Sequence, residues 1–269
     1  MELSLLIKDM VKEFSKLEEV EGIMLAGSHA TNTNDKDSDY DIYVYCSKDI
    51  SLEKRKNITD KYCSYMELNN EFWETEDDGV LMDNIQVELI YRRLEWIDTI
   101  LEKNLINYQA DVGYTTCFCS NFINSLILYD KSGVLKKLQE KYNIIYPQQL
   151  KINIIKKNYP LLKSKMPAYY YQIEKAIKRN DLVSINHRVA ALLASYFDII
   201  FAINEMLHPG EKKILKVIKE KAKKVPKNME NDITNILKAA AFCDKRILRE
   251  IDDLMMNLDS LLKEEEAIF

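Results

Sequence analysis

Two aspartates, Asp39 and Asp41, stand two residues apart at the head of the run DYDIYVYC. β-Branched and aromatic residues fill that run, which predicts a strand. Side chains alternate along a strand, so both carboxylates share one face while Tyr40 and Ile42 turn the other way, into a core. Two hard oxygen donors on one face, completed by water and phosphate oxygens, suit Mg²⁺. A third acid, Glu88, interrupts the apolar run IQVELIY between Val87 and Leu89. Burying a carboxylate without a partner is costly, and a shared metal would supply the partner. Three carboxylates can hold two ions about 3.5–4 Å apart, clamping the attacking and leaving oxygens of an in-line phosphoryl displacement. Upstream, the apolar run Ile23-Met24-Leu25-Ala26 ends at Gly27-Ser28. Glycine lets the backbone approach a phosphate closely. The serine hydroxyl and the N–H groups of an incipient helix can bind its oxygens.

Competing readings of the same residues differ in strength. Asp35, Asp37, Asp39 and Asp41 have the spacing of a calcium loop, but the position of the sharp-turn glycine is Tyr40 and that of the bidentate glutamate is Cys46. Glu88 on an edge strand would reach solvent and need no metal. Neither His29, His187 and His208 nor Cys117 and Cys119 show zinc-type spacing. His29 follows the Gly-Ser pair and is placed near the site. His187 opens an apolar helix and fits a cap or polar-face role better than a catalytic one. Tyr169, Tyr170 and Tyr171 fit helix packing better than base stacking.

The elements that must hold these residues can be read from periodicity. Leu3, Leu6, Ile7, Met10, Val11, Phe14 and Leu17 make a helical stripe. Strands are expected at residues 23–26, 39–46, 65–73 and 85–91, and helices at 52–63 and 94–105. The acidic run Glu74–Asp78, closed by Gly79, is expected to be an exposed loop. Beyond Lys131-Ser132-Gly133 the periodicity is helical, and all five prolines fall there. The expected class is α+β: a mixed sheet with flanking helices over residues 1–130, then an all-helical bundle over 131–269.

Bulk composition narrows the partners. The chain has 269 residues, 47% hydrophobic and 30% charged, with 6 Gly and 5 Pro, as a well-folded helix-rich protein has. No apolar run approaches the roughly 20 residues needed to span a bilayer. The start, MELSLLIKDMVKEF, lacks a basic region followed by an apolar core, so no signal peptide is expected. Five cysteines without paired spacing predict a reducing, cytoplasmic setting. The net charge of −5 conceals a split: 23 acids against 11 Lys and Arg in residues 1–100, 20 against 27 afterwards. The first part suits cations and the second something anionic. Net acidity speaks against wrapping long nucleic acid.

The ordered set of apolar strand, Gly-Ser, polar turn, Asp-x-Asp and a later strand acid resembles the active-site motif of the DNA polymerase beta-like nucleotidyltransferase superfamily. The resemblance covers residues 22–92. The helical C-terminal part looks most similar to the antibiotic (aminoglycoside and lincosamide) nucleotidyltransferase branch. There HRVAALLASYFDIIFAINEMLHPGEKKIL, residues 187–215, resembles a region where an Asn and a Gly-Glu-Lys segment lie near the nucleotide. The resemblance implies that Asp39, Asp41 and Glu88 ligate two Mg²⁺ ions and that Gly27 and Ser28 hold a triphosphate. It further implies that Lys212 or Lys213 reaches the phosphates, a solvated face being the alternative for both. The implied reaction moves a nucleoside monophosphate, AMP from ATP, to a hydroxyl of a small acceptor such as an aminoglycoside. A toxin-like enzyme acting on tRNA or protein, and a non-catalytic nucleotide-binding regulator, are the alternatives. The basic C-terminal part keeps a tRNA end in play. Base preference and oligomeric state have no sequence signal.

Overall fold

A computed structural model describes residues 3–30 and 38–267. The Asp35–Asp37 stretch of the polar turn lies outside the described residues. The chain forms two compact units: Met1–Glu102 with Phe118–Ile144, and Lys103–Cys117 with Ile145–Phe269.

The first unit is built on a mixed sheet. Its elements are α1 (Leu5–Phe14), β1 (Val20–Leu25), α2 (Gly27–Ala30), β2 (Tyr40–Cys46), α3 (Leu52–Thr59), β3 (Cys63–Asn70), β4 (Glu76–Leu81), β5 (Gln86–Arg93), α4 (Leu94–Leu101), α5 (Cys117–Asn124), β6 (Leu126–Asp130) and α6 (Val134–Tyr142). The described residues give six strands in the order β3-β4-β5-β2-β1-β6. Only β2 and β5 run parallel; the other neighbours are antiparallel. Alternation sorts the side chains as the sequence predicts. Tyr40, Ile42, Val44, Val87 and Leu89 join Ile7, Met10, Phe14 and Ile58 in one buried cluster, so α1 and α3 cover that face. Asp41, Tyr43 and Tyr45 point to the opposite face, where Phe122 of α5 meets the Tyr45 ring edge-on.

The acidic run departs from expectation. Its later part, residues 76–78, forms the start of β4 between β3 and β5 rather than a loop. Glu76 and Asp78 alternate with Asp77, which is wholly buried on the far face. There Arg55 Nη1 donates to Asp77 Oδ1 (2.9 Å), the Tyr91 hydroxyl donates to Oδ2 (2.7 Å) and the Asn69 N–H donates to Oδ1 (2.8 Å). Burial pushes the Asp77 carboxyl up, against the pull of these donors. A turn signal was legible in the charges; the buried partner of the middle one was not. The expected strand at residues 65–73 starts earlier and ends at Asn70, leaving Phe72 and Trp73 exposed beyond it.

Helix α6 belongs with the sheet, so this unit runs 14 residues past the expected boundary near residue 130. Leu135 packs over Gly22 of β1, where an added Cβ would stand 2.2 Å from Leu135 Cδ1. Asp130 accepts the N–H groups of Leu135 and Lys136 at the start of α6.

The second unit comprises α7 (Gln148–Tyr159), α8 (Tyr169–Lys178), α9 (Leu182–Ile203), α10 (Ile214–Lys221), α11 (Met229–Ala241) and α12 (Arg246–Glu264). Its core runs along α9, with Leu192, Tyr196, Ile199, Ile200 and Ile203 fully buried. Asp198 on that helix holds the Lys103–Cys117 segment: it accepts from Thr115 N–H (3.0 Å), Thr115 Oγ1 (2.6 Å) and Asn158 Nδ2 (3.1 Å). The tie explains why a segment adjoining α4 in sequence groups with the helices. Among the described residues no helix is long and apolar enough to cross a membrane. The cysteines form no disulfide.

His208 is fully buried between the rings of Phe201 and Tyr114. Its Nδ1 accepts the Gly210 N–H (3.1 Å), so the proton sits on Nε2, which has no partner among the described residues. Burial pushes the imidazole down to about 4. The folded chain therefore takes up this proton later than the unfolded chain, and stability is lost as pH falls from about 6.5 through about 4. Asp198, pushed up to about 7 by burial, acts with the opposite sign over much of the same range. Comparison with a His208→Leu variant separates the two. Urea unfolding from pH 7 to pH 4 is expected to show the wild type losing about 3 kcal/mol relative to that variant. A constant difference across the range would contradict this.

Candidate functional site

Strand β2 brings Asp41 to the sheet face opposite the α1/α3 core, and β5 pairs with it in parallel so that Glu88 lies directly beside Asp41. Asp39 sits one residue ahead of β2, on the same alternation as Asp41. One carboxylate oxygen from each of the three lies within 4.8 Å of the other two, and all three residues are half-buried. Octahedral coordination at about 2.1 Å places neighbouring donor oxygens about 3 Å apart, so a small inward movement would let the three carboxylates share one ion, with water or phosphate oxygens filling the other positions. Electrostatics supports the same reading. Glu88 is pushed up to about 7, first by burial and then by the charges of Asp41, Asp39, Asp78 and Glu76. A divalent cation removes that repulsion, and an all-oxygen donor set matches Mg²⁺. The residues present thus fit the ion.

The turn after β1 is docked on this cluster. The Ala26 N–H donates to the Asp41 carbonyl (2.9 Å). Gly27 follows at φ +62°, and a Cβ there would stand 1.7 Å from Asp41 Oδ2. Both the left-handed backbone and the contact demand glycine. Ser28 and His29 continue into α2, a single turn. Gly27 thereby stands against Asp41, and Ser28 is the next residue of that turn. Lys212 and Lys213 belong to the other unit, on the exposed turn ahead of α10, where Lys213 takes a left-handed φ of 55°. The Asn of the 187–215 segment, Asn204, is committed to structure. Its Oδ1 accepts from Lys223 and Lys224 N–H, and its Nδ2 donates to the Ile200 and Lys224 carbonyls. Tyr169 and Tyr170 pack against the helical core.

The sheet adds residues that sequence reasoning missed. Asp78 of β4 pairs with Glu88, and Glu67 of β3 pairs with Asp78. Glu67, Asp78, Glu88 and Asp41 therefore form one row across four adjacent strands. Like charges directly opposite on a sheet repel. Asn70 Nδ2 eases the row by donating to Asp78 Oδ2 (2.9 Å). Glu76, next along β4, is also pushed up by burial and then by Asp78 and Glu74. Arg92 closes this face at its other end. It bonds Glu74 through Nε (2.7 Å) and Nη2 (2.6 Å) and lies 4.0 Å from the Tyr43 ring centroid. The period-two spacing of Glu74, Glu76 and Asp78 was the available signal for a strand.

The N-terminal segment, residues 8–106, matches the model of the family described as polymerase beta, nucleotidyltransferase. This part of the chain belongs to that family. Gly27, Ser28, Asp39, Asp41 and Glu88 all lie within the matched nucleotidyltransferase domain. A second model, a domain of unknown function (DUF4037), matches residues 116–214. No curated protein matches the sequence. Among solved structures the chain is similar to a nucleotidyltransferase-like protein from Exiguobacterium sibiricum, at 11% identity and a TM-score of 0.44, covering 96% of this chain and 75% of that one. It is also similar to a CCA-adding enzyme from Thermotoga maritima complexed with tRNA (11% identity, TM-score 0.32, coverage 97% and 81%). A third is an aminoglycoside 6-adenyltransferase from Bacillus subtilis (10% identity, TM-score 0.27, coverage 98% of both chains).

Substituting Gly27→Ala in the nucleotidyltransferase domain is expected to destabilise the fold by about 1–3 kcal/mol, since the new Cβ meets both an unfavourable φ and Asp41. In an Asp41→Ala background the contact part of that cost disappears and only the backbone part stays. Urea unfolding of the four chains measures the coupling; strict additivity would contradict the contact.

Proposed function

We propose that the chain is a Mg²⁺-dependent nucleotidyltransferase that moves a nucleoside monophosphate, AMP from ATP, to a hydroxyl of a small cationic acceptor. The observation that carries the reading is the register of β2 with β5. It sets Asp41 beside Glu88; Asp39, one residue ahead of the ladder, lies close to both, and Gly27 stands against Asp41. When bound, Mg²⁺ would neutralise triphosphate charge and the charge developing on the leaving group. Asp39 and Asp41 hold the ion, with Glu88 as third ligand or as acceptor of the hydroxyl proton. The acceptor oxygen attacks the α-phosphorus as the bond from that phosphorus to the α–β bridging oxygen breaks. Pyrophosphate departs with the electron pair. Gly27 and Ser28 seat the triphosphate oxygens.

The row Glu67–Asp78–Glu88–Asp41 supports a cationic acceptor of the aminoglycoside kind. Strands lie about 4.8 Å apart, so the row extends roughly 10 Å outward from Glu88 to Glu67. A polyamine-rich molecule matches such a surface, whereas an RNA backbone is repelled by it.

With labelled ATP, Mg²⁺ and an aminoglycoside panel, Asp39→Asn and Asp41→Asn are each expected to cut pyrophosphate release at least 100-fold. Full activity in both would remove the metal assignment. A Glu67→Gln/Asp78→Asn variant is expected to raise the KM for the acceptor about tenfold while moving kcat much less, with the difference shrinking at high salt. An unchanged KM would separate the acidic row from acceptor binding.

A further inference from the structure

Asp39 is the ligand that the sheet does not itself place. Asp41 and Glu88 lie inside a regular parallel ladder, whereas β2 begins at Tyr40, so Asp39 precedes the first paired residue. The peptide immediately before it is held from the side by His29. The His29 ring stacks on Tyr40, with centroids 4.3 Å apart and planes at 22°, and its Nε2 lies 3.3 Å from the Ser38 carbonyl oxygen. A carbonyl oxygen only accepts, so Nε2 carries the proton and donates. Nδ1 is buried with no partner among the described residues. A bare lone pair there costs less than a buried N–H without an acceptor, which favours the same tautomer. Both contacts converge on the segment Ser38-Asp39-Tyr40, and their source is the same single turn that carries Gly27 and Ser28.

We infer that His29 is a positioning residue: its ring and its Nε2–H lock Asp39 against the Gly27-Ser28 turn, so that the metal ligand and the phosphate turn keep one fixed geometry. The inference rests on the metal-site reading above. It assigns His29 no contact with substrate. Stacking alone would make His29 a packing residue that any ring could replace; the donated hydrogen bond predicts otherwise. Glutamine can place an amide N–H near the position of imidazole Nε2, asparagine near that of Nδ1, and phenylalanine keeps the ring but donates nothing.

The test is Mn²⁺ titration of the full chain by calorimetry, with melting temperatures recorded for every variant and kcat measured with ATP. The wild type is expected to bind Mn²⁺. His29→Gln is expected to stay within about threefold of it, while His29→Phe and His29→Asn bind at least tenfold more weakly and lose kcat in parallel. Should His29→Phe melt early, the Gln and Asn pair carries the comparison, since both are small polar replacements of one position. Phe or Asn binding as tightly as the wild type, or Gln binding as weakly as the others, would overturn the positioning role and leave the metal site standing. Wild-type chain that fails to bind Mn²⁺ would overturn the metal-site reading and the positioning role with it.

Discussion

The parallel pairing of β2 with β5 is the constraint on which the rest of the site depends. Its register is set on the covered face, where Ile42, Val44, Val87 and Leu89 must all be buried together. A slip of one residue would turn that apolar set to the other face. The acids on the open face inherit their positions from this burial. Asp41 meets Glu88 because Ile42 meets Leu89. Gly27 is then fixed by Asp41, and β1 by its pairing with β2. Hydrophobic burial beneath the sheet thus places the chemistry above it.

That arrangement works against the folded chain electrostatically. Acids from four strands share one face, and Glu88 responds by holding its proton up to about 7. Such clustering is retained in proteins where it performs a task, since perturbed groups gather at functional sites. The positive charge that β5 brings to this face is already spent: Arg92 is clamped by Glu74 and covered by the rings of Tyr43 and Trp96. It bounds the acidic area without neutralising it. The proposed metal and the proposed cationic acceptor supply the missing charge from outside.

Much of this was legible in the residues. Alternation put Asp39 and Asp41 on one face and Tyr40 and Ile42 in the core, and Glu88 stood out as a charge in an apolar strand. The α+β class followed from where strand texture gave way to helical periodicity. The strand β4 was hidden because acids dominate it and no apolar alternation marks it. The row from Glu67 to Asp41 was hidden for a deeper reason: it depends on three separate pairings at once, one of which joins β2 to β5 across the intervening β3 and β4. The tie from Asp198 to Thr115, across 83 residues, had no local signal either.

Strand β4 poses a problem of its own. A half-buried strand normally finds its alignment through the apolar residues it must bury; β4 buries Leu81 at its end, but Glu76, Asp77 and Asp78 offer none. The buried pair of Asp77 with Arg55 fills that gap. Asp77 can be buried only where a guanidinium, a phenol and a backbone N–H meet it, and moving the strand by one residue in either direction would offer Glu76 or Asp78 to donors set for a shorter or differently placed side chain. A buried ion pair adds little net stability against a well-packed apolar alternative. Here it acts as a key: together with the buried Leu81 on the same alternation, it selects one alignment of an otherwise interchangeable run of acids and so determines which carboxylates face outward.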